Sequence, residues 1–286
     1  MRALLHIQLS LLILLFALPA AAGAGETVLA VAPAEEDATS PQQQLSGREI
    51  YQCVLDNRFK SYIQDADLLS GDRGGATQES KLRMTWSSFR KPDGGASSSG
   101  VLSKTLVKYT DPLDLRYSGY LIINNHSRGN DQFVYLNALR RIRRVNLRRQ
   151  AVFGTDFTFE DIVPREIEGG TYRRLPDKVI QERGVYVVEV TPVEQKKSEY
   201  SRFRVHVDKQ TCVPLLTNYW DDRGLEVKKL EIPSDHVKLM DGVYVPTLLT
   251  MRNLQLDSYT TLKIQDIKPN PKVRPTTFDM RRLESH

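Results

Sequence analysis

The sequence predicts a mainly β domain of the α+β class, built on a long curved antiparallel sheet with one apolar face and a few covering helices. Two observations carry this. Apolar and polar residues alternate with a period of two in several short runs, and turn signals separate those runs too closely for crossover helices to intervene. Phe203, Val205 and Val207 alternate with Arg202, Arg204, His206 and Asp208, while Leu82, Met84 and Trp86 alternate with Arg83, Thr85 and Ser87. Similar runs lie at Tyr186 to Val190 and Leu262 to Ile264. Hairpin turns are expected at Asp208 to Thr211, Asp222 to Gly224, Asp241-Gly242 and Arg183-Gly184.

Taken in order, residues 1–24 read as an export signal: Arg2, an apolar run from Leu9 to Leu18 broken only by Ser10, then small residues ending at Ala22 or Ala24. A membrane anchor is the other reading of this stretch, but the run meets Pro19 before reaching the roughly 20 residues a span needs. Residues 25–46, rich in Ala, Pro, Glu and Gln, carry no hydrophobic period and read as a flexible tether. From 47 to 286 a single large domain is expected, with no second linker. It opens with an amphipathic helix over Arg48 to Phe59, capped by Ser46, with Ile50, Val54 and Leu55 on one face. Phe157 to Ile162 reads as a helical turn capped by Thr158 and Asp161 and ended by Pro164. The segment Lys91 to Gly100 is a loop.

The formal charge of +5 is too small an excess to argue for nucleic acid, and no nucleic-acid motif is present. A local cluster stands out: Arg140, Arg141, Arg143, Arg144, Arg148 and Arg149. It is either a solvated strand or turn edge, or a patch for lipid phosphates, a membrane surface or an acidic partner. The two cysteines, Cys53 and Cys212, are compatible with a disulfide in an oxidising compartment or with two separate buried thiols. Cys and His never stand at zinc-ligand spacing. Asp156, Glu160 and Asp161 lack calcium-loop spacing. They are expected to cap the short helix and to pair with arginines such as Arg140 or Arg144, with Gly154 supplying an unusual backbone angle at the bend.

Nothing spells out a catalytic constellation. His126, His206 and His236 sit in no nucleophile elbow, zinc-protease helix or phosphate loop, and His206 reads as solvated on the polar face of its strand. No catalytic residue, cofactor or metal is therefore expected. An apolar sheet face can instead shelter a hydrophobic molecule, at about 0.8 kcal/mol per CH₂ removed from water. Trp86, Phe133, Tyr135, Phe203, Val205 and Trp220 are the candidates to line it, the alternative being that they form an ordinary core.

The succession Tyr117-Ser-Gly-Tyr-Leu-Ile-Ile, Phe133-Val-Tyr-Leu, the Arg-rich run, Phe153-Gly-Thr-Asp-Phe-Thr-Phe-Glu-Asp161 and Thr277-Phe-Asp-Met resembles the LolA-like family of outer-membrane lipoprotein-sorting proteins, over roughly Arg48 to Leu283. Gly154, Asp156, Phe157, Glu160 and Asp161 carry the most specific part. The resemblance implies a LolA/LolB-like half-barrel whose lidded apolar face binds lipid or lipoprotein acyl chains in the periplasm, for transport between inner and outer membrane. It further implies an RND-family inner-membrane exporter as partner and a transient membrane contact, for which Arg140, Arg141, Arg143 and Arg144 are the candidate surface. The alternative is a periplasmic adaptor of an RND-type export complex that carries no cargo.

Overall fold

The computed structural model describes residues 44–146, 150–193 and 198–284. The export signal, most of the tether, and Arg148 and Arg149 lie outside them. A helix α1 (Gly47–Asp56) is followed by β1 (Ser61–Gly71), β2 (Thr77–Ser88), β3 (Val101–Asp111), β4 (Gly119–Asn125), β5 (Asp131–Leu136) and β6 (Arg141–Val145). After the one-turn helix α2 (Phe159–Ile162) come β7 (Gly170–Ile180), β8 (Arg183–Pro192), β9 (Arg202–Asp208), β10 (Pro214–Trp220) and β11 (Glu226–Glu231). The chain ends with β12 (Val237–Met240), β13 (Val243–Pro246), β14 (Leu248–Asn253), β15 (Ser258–Pro269) and α3 (Arg281–Glu284). Thirteen strands form one curved, unclosed sheet in the order β6-β5-β4-β3-β2-β1-β15-β14-β11-β10-β9-β8-β7, and β12–β13 is a separate hairpin. Every pairing is antiparallel, as the closely spaced turns require.

Register divides the side chains between two faces. On the inner face, Leu82 stands opposite Ala66 and Tyr109, Leu68 opposite Leu262, Leu249 opposite Leu262, and Val205 opposite Val188. Two clusters form there: one around Ala66, Leu68, Leu82, Val107, Tyr109 and Tyr120, the other where Ile50 and Tyr51 of α1 cover Val188, Val190, Phe203 and Val205. The outer face is also partly covered. Phe278 and Leu283 pack on Leu106, Leu121 and Tyr135, while Val237 of β12 packs on Val185, Val187 and Leu215.

The helix α1 begins where its sequence signal stands. Ser46 accepts the Glu49 N–H, and the Glu49 carboxylate takes the Ser46 N–H at 2.8 Å, closing a capping box. It ends at Asp56 rather than Phe59, because Asn57 turns out of the helix to exchange two 2.9 Å hydrogen bonds with the backbone of Tyr244. Of the two readings of the cysteines, the disulfide is the one formed. Cys53 in α1 is bridged to Cys212 in the β9–β10 turn, with Cα atoms 5.7 Å apart.

Two expectations are corrected. The turn between β7 and β8 is made by Gln181 and Glu182, at φ 50° and 61°, not by Arg183-Gly184, which already belongs to β8. His206 is not solvated: it is 4% exposed beside Val187 and bonded through Nδ1 to the Leu216 carbonyl at 3.2 Å. The period of two was right, but the β12 hairpin covers what reads as the solvent side.

Candidate functional site

A segment running from Gln150 to Ile162 crosses the inner face as a strap. Gly154, at φ 77°, sets its bend, and Ala151 bridges back to Thr158. Phe153 packs against Tyr109 and Tyr120, with ring centroids 4.9 and 6.2 Å apart, and Phe159 meets Tyr120 at 5.6 Å. Asp156 accepts the hydroxyls of Ser258 and Thr260 on β15 at 2.5 and 2.9 Å. Thr158 and Asp161 form the capping box of α2 that their spacing predicts. Glu160 accepts from Ser198 Oγ at 2.5 Å and from the Glu199 N–H at 2.6 Å. Asp161 also accepts the Tyr200 hydroxyl at 2.8 Å and lies 3.2 Å from Lys228 Nζ, a cation whose side chain is only 5% exposed.

The strap's carboxylates therefore do not pair with Arg140 or Arg144. Those arginines sit on the sheet's far edge, where Arg144 joins Arg128 in holding Asp131. The arginine that does pair with the strap is Arg165, 3.8 Å from Glu160; its other partners are hydroxyls, backbone amides and one buried lysine contributed by the other half of the sheet. Such groups are hard to find from sequence, because a lysine in the run Glu-Val-Lys-Lys-Leu-Glu reads as solvated.

Beneath the strap lies a cavity of about 370 Å³. Its floor is the inner face: Tyr62, Leu68, Leu82, Met84, Tyr109, Tyr120, Leu230, Leu249, Leu262 and Ile264. Val152, Phe157 and Ile162 of the strap roof it, and Asn57, Arg58 and Val243 to Pro246 close one end. Tyr62 donates to Met84 Sδ at 3.4 Å, and burial pushes its hydroxyl up to about 12. The Tyr109 hydroxyl, also raised by burial, has no hydrogen-bond partner among the described residues. Most of the groups that face the cavity are apolar or aromatic side chains. Among the described residues no three His, Cys, Asp or Glu side chains converge on a metal-sized point, and no helix is long and apolar enough to cross a membrane.

None of the six aromatic and aliphatic residues singled out from sequence lines this cavity, although Phe203 lines a second one, of about 790 Å³, together with Tyr51, Phe159 and Arg165. Trp86, Phe203 and Val205 lie on the inner face but to either side of the first. Trp86 stacks on Tyr62 at 5.6 Å, and Phe203 and Val205 are packed in the cluster under α1. Phe133 and Tyr135 are on the outer face, in the cluster with Phe278 and Leu283. Trp220 follows inward-facing Tyr219 and so points outward, opposite Arg202, under the guanidinium groups of Arg202 and Arg204 at 4.9 and 5.1 Å. Arg140, Arg141, Arg143 and Arg144 are exposed on or beside the edge strand β6, with Arg140 at φ 46°.

A protein-family model matches residues 102–285, under the description Uncharacterized protein. No curated protein matches the sequence. Among solved structures the chain is similar to a Vibrio parahaemolyticus domain described as an outer membrane lipoprotein-sorting protein, at 22% identity and a TM-score of 0.75, covering 84% of this chain and 98% of that one. It is similar to a DUF1329 family protein from Desulfovibrio piger at 19% identity and a TM-score of 0.75, over 84% and 100% of the two chains. A LolA superfamily protein from Nitrosomonas europaea matches at 15% identity and a TM-score of 0.65, over 84% and 100%. At these identities the likeness establishes the fold, an unclosed antiparallel sheet with few helices.

Proposed function

The chain belongs to the family whose model spans residues 102–285 and has a LolA-like fold, and on that footing we propose that it is a non-enzymatic periplasmic carrier. It holds the acyl portion of a lipid or lipoprotein beneath the strap and moves it between inner and outer membrane. The observation that supports this is the roofed apolar cavity of about 370 Å³, whose lining residues Met84, Leu230, Leu249, Leu262 and Ile264 are only half-buried. An acyl chain crossing water costs about 0.8 kcal/mol per CH₂, which such a surface removes without any reacting group. The Vibrio parahaemolyticus neighbour's description as a lipoprotein-sorting domain agrees with the reading. The test is native mass spectrometry of the protein isolated from the periplasm, followed by organic extraction. A stoichiometric lipid, lost in Leu262→Trp, is the expected result. Protein that is empty and takes up no lipid from liposomes overturns it.

Docking to an inner-membrane exporter of the RND class, and brief contact with membrane headgroups, are part of the same proposal. The surface suited to them is the edge at β6, where Arg140, Arg141 and Arg143 are exposed and have no carboxylate within 4.0 Å among the described residues. The same edge would serve a cargo-free adaptor. Occupancy of the cavity separates the two.

A further inference from the structure

The apolar wall of the cavity is interrupted at its closed end by a single cation, Arg58. Its backbone is not free to move away. Asn57 is tied to Tyr244 on one side, and β1 begins three residues later on the other. Arg58 is half-buried, yet its side chain makes no hydrogen bond and has no carboxylate within 4.0 Å among the described residues. Two carboxylates lie near enough to act on it, Glu166 and the exposed Asp56. Glu166 is already committed: Arg90 holds one carboxylate oxygen in an ion pair, and Asn124 donates to the other at 3.0 Å. The neighbouring Arg90 adds to the positive field. With Glu166 engaged by Arg90, and Asp161, which also lines the cavity, engaged by Lys228, Arg58 is left with only the solvent-exposed Asp56 as a counter-charge, and that carboxylate is not within 4.0 Å. Burial disfavours the positive charge, since it lowers the affinity of the Arg58 guanidinium for its proton.

The geometry points to Arg58 as the headgroup residue of the cavity: the guest is a single-chain amphiphile whose carboxylate or phosphate sits on this guanidinium while its chain lies under the strap. At roughly 30 Å³ for a water-sized group, the cavity holds on the order of a dozen methylenes, which is one chain rather than two. A planar guanidinium suits both head chemistries, because it offers paired donors to two oxygens of either. This inference rests on the carrier reading and narrows it to anionic cargo, with the chain lying along Tyr62, Met84 and Leu262.

The experiment titrates the purified protein calorimetrically with dodecanoate, dodecyl phosphate, dodecanol and acetate, in the unaltered chain and in Arg58→Met and Arg58→Lys. Thermal melting confirms that the variants are folded. The unaltered protein is expected to bind dodecanoate and dodecyl phosphate about tenfold or more tighter than dodecanol. Arg58→Met should abolish that preference, so that the anions bind no tighter than dodecanol, and Arg58→Lys should keep most of it. Which of the two anions binds tighter identifies the head. A preference that survives Arg58→Met, or equal binding of dodecanol and the anions to the unaltered protein, overturns the headgroup role and leaves the carrier reading standing. Acetate binding as tightly as dodecanoate overturns it too, by reducing the site to one for small anions. Failure of every chain-bearing ligand to bind overturns the headgroup role together with the carrier reading.

Discussion

Replacing Lys228 by methionine should detach the strap from the half of the sheet it leans on. Lys228 Nζ lies 3.2 Å from Asp161 and 3.7 Å from Glu199, and the Lys228 and Asp161 side chains are 5% and 2% exposed. Removing one member of a pair buried this deeply leaves a bare charge in a medium that solvates it poorly, which costs about 3–5 kcal/mol. Asp161 keeps the Thr158 N–H and the hydroxyls of Thr158 and Tyr200, so the lower end of that range is expected. Glu199, which burial already pushes above the ordinary carboxylate range, loses the cation that counters the push. The double variant Lys228→Met with Asp161→Asn removes both charges and should recover part of the loss. Urea unfolding of the two single variants and the double closes the cycle. A cost below about 1 kcal/mol for Lys228→Met would show that the pair does not hold the strap, and the account of how the cavity is roofed would fail.

Two further outcomes follow from the fold. Reducing the Cys53–Cys212 disulfide, or replacing both cysteines with alanine, releases a separation of 159 residues, which in the chain-entropy model lowers stability by about 5 kcal/mol; a melting temperature unmoved by reductant would contradict this. Asp131 is held at about 2, first by the hydrogen bond from Arg128 and then, against burial, by those from Asn125 and Arg144. The unfolded carboxylate takes up its proton first, so this contribution is complete above about pH 4 and drains away as pH falls through 2. With the two arginines 57% and 69% exposed, solvent screening leaves about 1 kcal/mol of it. Asp131→Asn should flatten that part of the stability curve, and an unchanged slope refutes the assignment.

Much of the architecture could be read because it is written in periods and caps. The alternation at Phe203 to Val207, the Asp241-Gly242 turn and the capping boxes at Ser46 and Thr158 are local signals, and each led to the element found. Faces were harder to read. Phe133 and Tyr135 alternate with Val134 as cleanly as any strand, but which side becomes the outer one depends on Phe278 and Leu283, more than 140 positions away. His206 looked wet for the same reason, since Val237 of β12, which packs on the cluster holding its cross-strand neighbour Val187, lies some 30 residues on. The cavity was the least legible part. Its wall is assembled from β1 to β4, β11, β13 to β15 and the strap, and its two most telling polar groups, Arg58 and Tyr109, stand in stretches with no motif. The Gly-Thr-Asp-Phe segment could be singled out by composition, yet its partners Ser258, Thr260 and Lys228 could not, because hydroxyls and a lone lysine carry no signature until a fold gathers them.

A sheet of thirteen strands that never closes has two bare ends, β6 and β7, and each offers unpaired backbone groups to the strand of any other molecule. Both ends are guarded. Along β6, three of five residues are exposed arginines, so a second copy adding there edge to edge would bring like charges together. On β7, Pro176 removes a backbone donor inside the register break between Leu175 and Lys178, and Arg173, Arg174 and Asp177 flank it with charge. An unclosed sheet can thus lie beside its own copies without its edges recruiting one another into fibrils, and the β6 arginines act as the stop at the end of the sheet.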